Sequence, residues 1–183
     1  KWDFDLGDGS ECLPFPIPGW GNKELQTYTD NQENVEIVNQ KLVIRPQLKN
    51  DEYTSARITT RGKFSFTYGK VEARIKMPKS KGTMFAFWMF PENPAYGPWP
   101  NSGEVDILEY VRHLPNSLHS TVHALKNKGG DSYYSETDPA DVFKVYTMEW
   151  RENSMEFFID GVSIYKNKVS SFIKNPSYKD WPF

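Results

Sequence analysis

Cysteine is almost missing from this chain. Cys12 stands alone, which excludes an internal disulfide and a cysteine-built zinc cluster. No apolar run approaches the ~20 residues that a membrane-spanning helix needs. An excess of positive charge is missing too: 22 Lys and Arg against 24 Asp and Glu leave a net −2. That balance offers no basic footprint to nucleic acid or anionic lipid. Helical periodicity is also scarce, because no segment keeps an apolar 3.6-residue period over three turns. The 13 Pro and 12 Gly are scattered, so there is no low-complexity tract, and no internal repeat or dividing linker is visible. The chain begins at Lys1 without a methionine or a leader, so a processed product is expected and an export signal is not legible.

What is present is aromatic and strand-forming. With 12 Phe, 10 Tyr and 6 Trp in 183 residues, the chain is not a disordered one, and its length suits one domain with a sizeable core, 1–183. Val35–Val38 and Leu42–Ile44 flank Asn39-Gln40-Lys41 and read as a hairpin. Val71, Ala73, Ile75 and Met77 alternate with charged residues, the pattern of a strand with one wet face. Phe64 and Phe66 alternate just upstream. Gly82–Phe90 is apolar throughout and is expected to be covered on both faces. Val145–Trp150, Met155–Ile159 and Val162–Tyr165 read as three strands, the last two joined by the hairpin dipeptide Asp160-Gly161. Many short strands at regular spacing predict an all-β antiparallel sandwich. Two loops rich in Pro and aromatics, Leu13–Asn22 and Pro91–Ser102, interrupt the pattern, and such loops commonly carry function on a sheet scaffold.

The most informative stretch is Gly103-Glu104-Val105-Asp106-Ile107-Leu108-Glu109-Tyr110. On a strand, Glu104 and Asp106 share a face, whereas Glu109, five residues from Glu104, points the other way. One bulged residue at Ile107-Leu108 restores the phase, aligning three carboxylates and sending Val105 and one of Ile107 or Leu108 to the core. Three like charges in a row require that one stay protonated or that cations arrive from other strands. Glycoside hydrolysis with retention uses such a set: an ionised carboxylate attacks the sugar and a protonated carboxyl donates to the leaving oxygen. On that logic Glu104 is the nucleophile and Glu109 the general acid, its pKa raised by the neighbouring charge. Asp106 lies between them and orients Glu104. An acidic strand paired with Lys and Arg on its neighbours is the competing reading.

In this setting the chain resembles the family 16 glycoside hydrolases, and within them the laminarinase-like endo-β-1,3-glucanases. The resemblance rests on GWGNKELQTYT (19–29), TRGKFSFTYGKVEARIKMP (60–78), FAFWMFP (85–91), WPNSGEVDILEYV (99–111), STVHA (120–124) and YTMEWRENSMEFFIDG (146–161), in that order. It implies a curved jelly-roll sandwich, concanavalin A-like, with an open cleft on its concave face. It implies retaining cleavage inside β-1,3-linked or mixed-linkage β-1,3-1,4-glucan, and it assigns Glu104, Asp106 and Glu109 the same roles. A non-catalytic β-glucan-binding protein on the same fold and a galactan-active, agarase- or carrageenase-like relative are the alternatives. Transglycosylation is a third reading.

Further residues carry over by resemblance. Trp99 matches a Trp lining the cleft beside the cleaved sugar, and Trp88 is either core or cleft floor. Asn22 and Arg61 match positions that bond sugar hydroxyls on the non-reducing side, with a surface ion pair the other reading for Arg61. Trp20 either contacts distant sugars or packs on the sandwich edge. His123 matches a histidine near the acid/base, placed to bond Glu109 or the acceptor sugar. His119 and His123, four apart on a strand, do not make an ordinary chelating pair, so no metal ligand is assigned and no cofactor is required. The family's calcium site draws on terminal segments and is not placeable here. Against the family pattern, strands before Lys1 and after Trp181-Pro182-Phe183 are expected to be lacking. The expected partner is β-glucan, with no nucleic acid or membrane, acting on a monomer. The size of that substrate implies an extracellular, periplasmic or cell-surface location.

Overall fold

A computed structural model describes residues 2–12, 16–124 and 127–168. The start of the first aromatic loop (13–15) and the C-terminal end with Trp181-Pro182-Phe183 lie outside the described residues. The chain forms two compact units, Lys1–Phe64 and Ser65–Phe183.

In the first unit, β1 (Asp3–Asp5) pairs antiparallel with β7 (Arg57–Thr59). Short strand β2 (Thr27–Tyr28) runs parallel to β6 (Glu52–Ser55), which pairs antiparallel with β5 (Gln47–Lys49). The expected hairpin is β3 (Val35–Val38) with β4 (Lys41–Ile44). Its two-residue turn, Asn39-Gln40, takes φ of 48° and 61°, the left-handed pair that matches strand twist. Buried Asn34 ties the hairpin down, donating to the Arg45 carbonyl and Thr54 Oγ1 at 3.0 Å each and accepting from Thr29 Oγ1 at 2.6 Å. Trp20 is only 7% exposed. It donates to the Gly7 carbonyl, and the Arg57 guanidinium lies 4.3 Å from its ring centroid. Packing, rather than contact with distant sugars, is therefore its role here.

The second unit is a sandwich of two four-stranded antiparallel sheets. One has the order β12-β11-β10-β9, with β9 Met84–Met89, β10 Glu104–Val111, β11 Ser117–Ala124 and β12 Asn127–Tyr134. The other has the order β15-β14-β13-β8, with β8 Gly69–Ile75, β13 Lys144–Arg151, β14 Ser154–Ile159 and β15 Val162–Lys168. Alternation along the strands sends one face of each sheet inward. Val105, Ile107, Val122 and Ala124 meet Met148, Trp150, Met155 and Phe157 in one core cluster. Met77, Leu108, Tyr110 and Leu118 meet Tyr146 and Ile159 in a second. The all-β antiparallel sandwich is the fold class that the strand pattern predicts.

Two strand expectations need correction. Phe64–Phe66 is not a strand. Gly62 and Tyr68, both at positive φ, bend the chain on either side, and Phe66 packs edge-on against Trp150 instead. The apolar strand β9 is covered on one face only. Phe85, Phe87 and Met89 pack on the cores, while Met84 and Ala86 are exposed and Trp88 is half-buried on the other face.

The bulge in β10 is where it was expected. Asp106 pairs with Thr121 and Glu109 with His119, so Ile107 and Leu108 together oppose Ser120. On the other side Asp106 pairs with Trp88 and Leu108 with Phe87, which leaves Ile107 without a partner on either strand. Both bulged side chains are buried, Ile107 in one core cluster and Leu108 in the other, where only one of them was expected to face inward. Ser120 Oγ donates to the Ile107 carbonyl at 2.9 Å and so serves a buried acceptor that the broken ladder exposes. Ser120→Ala should leave that acceptor poorly served and cost about 1–3 kcal/mol, read as a lower urea midpoint with an unchanged slope.

Candidate active site

The register decides which side chains share the outer face of the β9–β12 sheet. Directly opposite residues on antiparallel strands point the same way. Glu104 stands beside His123, Asp106 between Thr121 and Trp88, and Glu109 between His119 and Ala86. The next strand out adds Gly130 beside Thr121 and Ser132 beside His119. The bulge thus sets three carboxylates in one row, with an indole on one side and two imidazoles on the other.

The loop before β10 supplies a second indole. Its fold is pinned by Ser102, which is buried, accepts from the Tyr96 N–H at 3.1 Å and donates to the Gly97 carbonyl at 2.7 Å. Backbone bonds from Asn101 to Pro98 and from Gly103 to Pro100 tighten the same loop. Gly103 enters the strand at φ 87°, a conformation that favours glycine. The loop carries Trp99 over the acids. Its indole N–H donates to Glu104 Oε2 at 2.5 Å, yet the residue is 56% exposed. A ring tethered at its edge and bare on its face suits stacking against another flat, partly apolar surface.

Asp106 is the buried member of the row, 3% exposed. His123 Nε2 lies 3.0 Å from its Oδ2. The contact is close but not an aligned hydrogen bond, since Oδ2 has no hydrogen-bond partner of good geometry. The Trp99 ring centroid is 5.8 Å from that of His123. The site perturbs the Glu104 carboxyl upward, to about 7. Burial is the main cause and the charge of Asp106 the next, while His123 and the Trp99 N–H pull the other way. His119 is held by both ring nitrogens, with Ser117 Oγ at 3.0 Å and Ser132 Oγ at 2.8 Å. Among the described residues, no group of three or more His, Cys, Asp and Glu side chains is placed to hold a metal ion.

Of the other expected sugar-binding residues, Trp88 lies on the acidic face, as a floor residue would. Asn22 and Arg61 belong to the first unit. Asn22 donates to Glu24 Oε1 at 3.3 Å. Arg61 reaches buried Asp5 at 3.2 Å and remains 66% exposed, while Arg57 holds the other Asp5 oxygen at 2.9 Å. Arg61 therefore makes an ion pair and keeps guanidinium N–H groups open to solvent. Three members of the site were not singled out from sequence: Ser102, Ser120 and Thr121. A serine next to a glycine, or a Ser-Thr pair between His119 and Val122, marks them only weakly.

An antiparallel β-sandwich with a row of carboxylates and a bare indole on one open sheet face has the make-up of a glycoside hydrolase. Residues 22–182 match glycosyl hydrolases family 16, and the chain belongs to that family. It is 38% identical over 197 residues to a beta-glucanase of Rhodothermus marinus, covering 100% of this chain and 65% of that one. A glucan endo-1,3-beta-glucosidase A1 of Niallia circulans is 35% identical over 91% of this chain and 27% of its own. The chain thus spans less than two thirds of either relative. Among solved structures, a laminarinase from Flavobacterium sp. UMI-01 superposes with a TM-score of 0.87 at 37% identity, over 99% of this chain and 77% of that one.

The raised carboxyl has a thermodynamic consequence. Glu104 binds its proton more tightly in the fold, at about 7, than at its ordinary 4.5. Between those values the folded state holds more protons than the unfolded one, so this group's contribution to stability is full below 4.5 and is lost as pH rises through 7. Glu104→Gln removes the titration. The melting temperature of the variant minus that of the parent should therefore grow from pH 4.5 to pH 7 and level off above. A difference that is flat with pH would contradict the shift.

Proposed function

We propose that the protein is a retaining endo-glycosidase that hydrolyses β-1,3-linked glucan, laminarin-like or mixed-linkage β-1,3-1,4, through a covalent glycosyl-enzyme intermediate. The observation that carries this reading is the bulged strand, which sets Glu104, Asp106 and Glu109 on one sheet face beside Trp99 and Trp88. The similarity to glucan-cleaving relatives supports the substrate class.

In this reading Glu104 attacks the anomeric carbon. Glu109 gives its proton to the leaving oxygen. Esterification removes the charge of Glu104, which lowers the proton affinity of Glu109 and readies it as base toward water. Asp106 orients Glu104 from the buried side. The exposed face of Trp99 stacks on a pyranose ring whose axial C–H groups meet the indole. Trp88 floors the cleft, and Arg61 and Asn22, in the first unit, keep their reading as partners of sugar hydroxyls. His123 is retained near the scissile bond. No cofactor takes part. A polymer substrate places the work outside the cytoplasm, with the chain acting as a monomer on one 1–183 catalytic domain.

A glucan-binding protein without catalysis is the less supported alternative, since all three acids are present and share a face. Glu104→Gln should lower laminarin hydrolysis on the order of 10³-fold or more and leave oligosaccharide binding close to the parent's. Asp106→Asn should lose less. Reducing-end assays on laminarin, barley glucan, agarose and carrageenan test the substrate class. Proton NMR of the first products should show the β-anomer, and an initial α-anomer would rule out retention.

A further inference from the structure

His123 touches the carboxylate row directly, yet the reaction above gives it no task. It sits on β11 at the register position of Glu104, and its side chain is largely buried. Among the groups that face it are Glu104 and Asp106 on β10 and the Trp99 ring from the preceding loop. Lys128 is its register partner on β12. Its Nε2 is turned to Asp106 Oδ2 at 3.0 Å, so that ring nitrogen is committed to a carboxylate.

We propose that His123 is a positioning residue acting through its charge: protonated, it is the counter-ion of Asp106 and thereby lets the neighbouring Glu104 stand ionised for attack. The proposal rests on the nucleophile role given to Glu104 above. Two carboxyls side by side in a buried setting do not both ionise unless a cation is close. Among the described residues, no Lys or Arg comes within ion-pair reach of Glu104 or Asp106, and His123 does. The electrostatics agree in sign. Asp106 pushes the Glu104 carboxyl up and His123 pulls it down. The contact leaves Asp106 Oδ2 with a charge partner but no aligned donor, which is the signature of a pair coupled by charge more than by hydrogen-bond geometry.

The chain has three histidines, His113, His119 and His123, so their ring C–H signals can be followed by proton NMR and that of His123 assigned by its loss in His123→Gln. In the parent the His123 midpoint should lie above the ordinary value of about 6.5. In Asp106→Asn it should fall by about one unit or more. Equal midpoints in the two proteins would overturn the proposal. This readout needs no turnover, so a protein that cleaves no glucan would sink the proposed function and leave the charge pairing standing. Where laminarin is hydrolysed, a second measurement applies. His123→Gln should move the acid limb of kcat/KM to higher pH by about one unit or more with KM near the parent's, and His123→Lys should bring the limb back. A loss uniform across pH, or a rise in KM alone, would assign His123 to structure or to sugar contact and overturn the proposal.

Discussion

A single unpaired residue in β10 is the constraint on which the site depends. A strand turns successive side chains to opposite faces, so two acids an odd number of positions apart are divided by the sheet. Ile107 has no partner on β9 or β11, and this one-residue slip returns Glu109 to the side of Glu104 and Asp106. The slip is held from below. Ile107 and Leu108 both sink into the sandwich, one in each core cluster, and Ser120 bonds the displaced carbonyl. The chemistry on the outer face and the packing on the inner face are therefore one feature seen from two sides.

Placing the acids together works against folding, and the surroundings show how the opposition is met. Glu104 and Asp106 are partly or wholly out of water, where like charge is least screened. One answer is protonation, and the upward shift of Glu104 records it. The other is local compensation, from the Trp99 N–H on Glu104 and the His123 imidazole beside Asp106. These partners come from different places: a loop pinned by Ser102 and the neighbouring strand. An active row of this kind is stable only where a loop and two strands are already fixed, which is why the rigid sandwich and the reactive face occur together.

Much of this was legible in the residues alone because it is local. Asn39-Gln40 and Asp160-Gly161 tolerate left-handed turns, and those turns set the hairpins around them. The odd spacing of Glu104 and Glu109 points to a bulge because a regular strand would waste one acid. The errors share a cause as well. The apolar run in β9 suggests cover on both faces, but Trp88 and Met84 lie on the face of the acids. The alternation of Phe64 and Phe66 looks like a strand, but positive φ at Gly62 and Tyr68 bends the chain. Periodicity reports which side chains are apolar, and not what stands opposite them.

The succession of strands along the second half of the chain, the hairpin turns and the out-of-phase pair of glutamates were determined by the sequence, since each depends on interactions within a few residues. Tertiary structure alone decided that Trp99 would bond Glu104, that His123 would face Asp106, and that Ser120 would close the bulge. Those contacts join segments whose meeting depends on strand register and loop path. It is also tertiary burial that raised the Glu104 carboxyl, because a proton affinity is set by how much water and which charges surround the group.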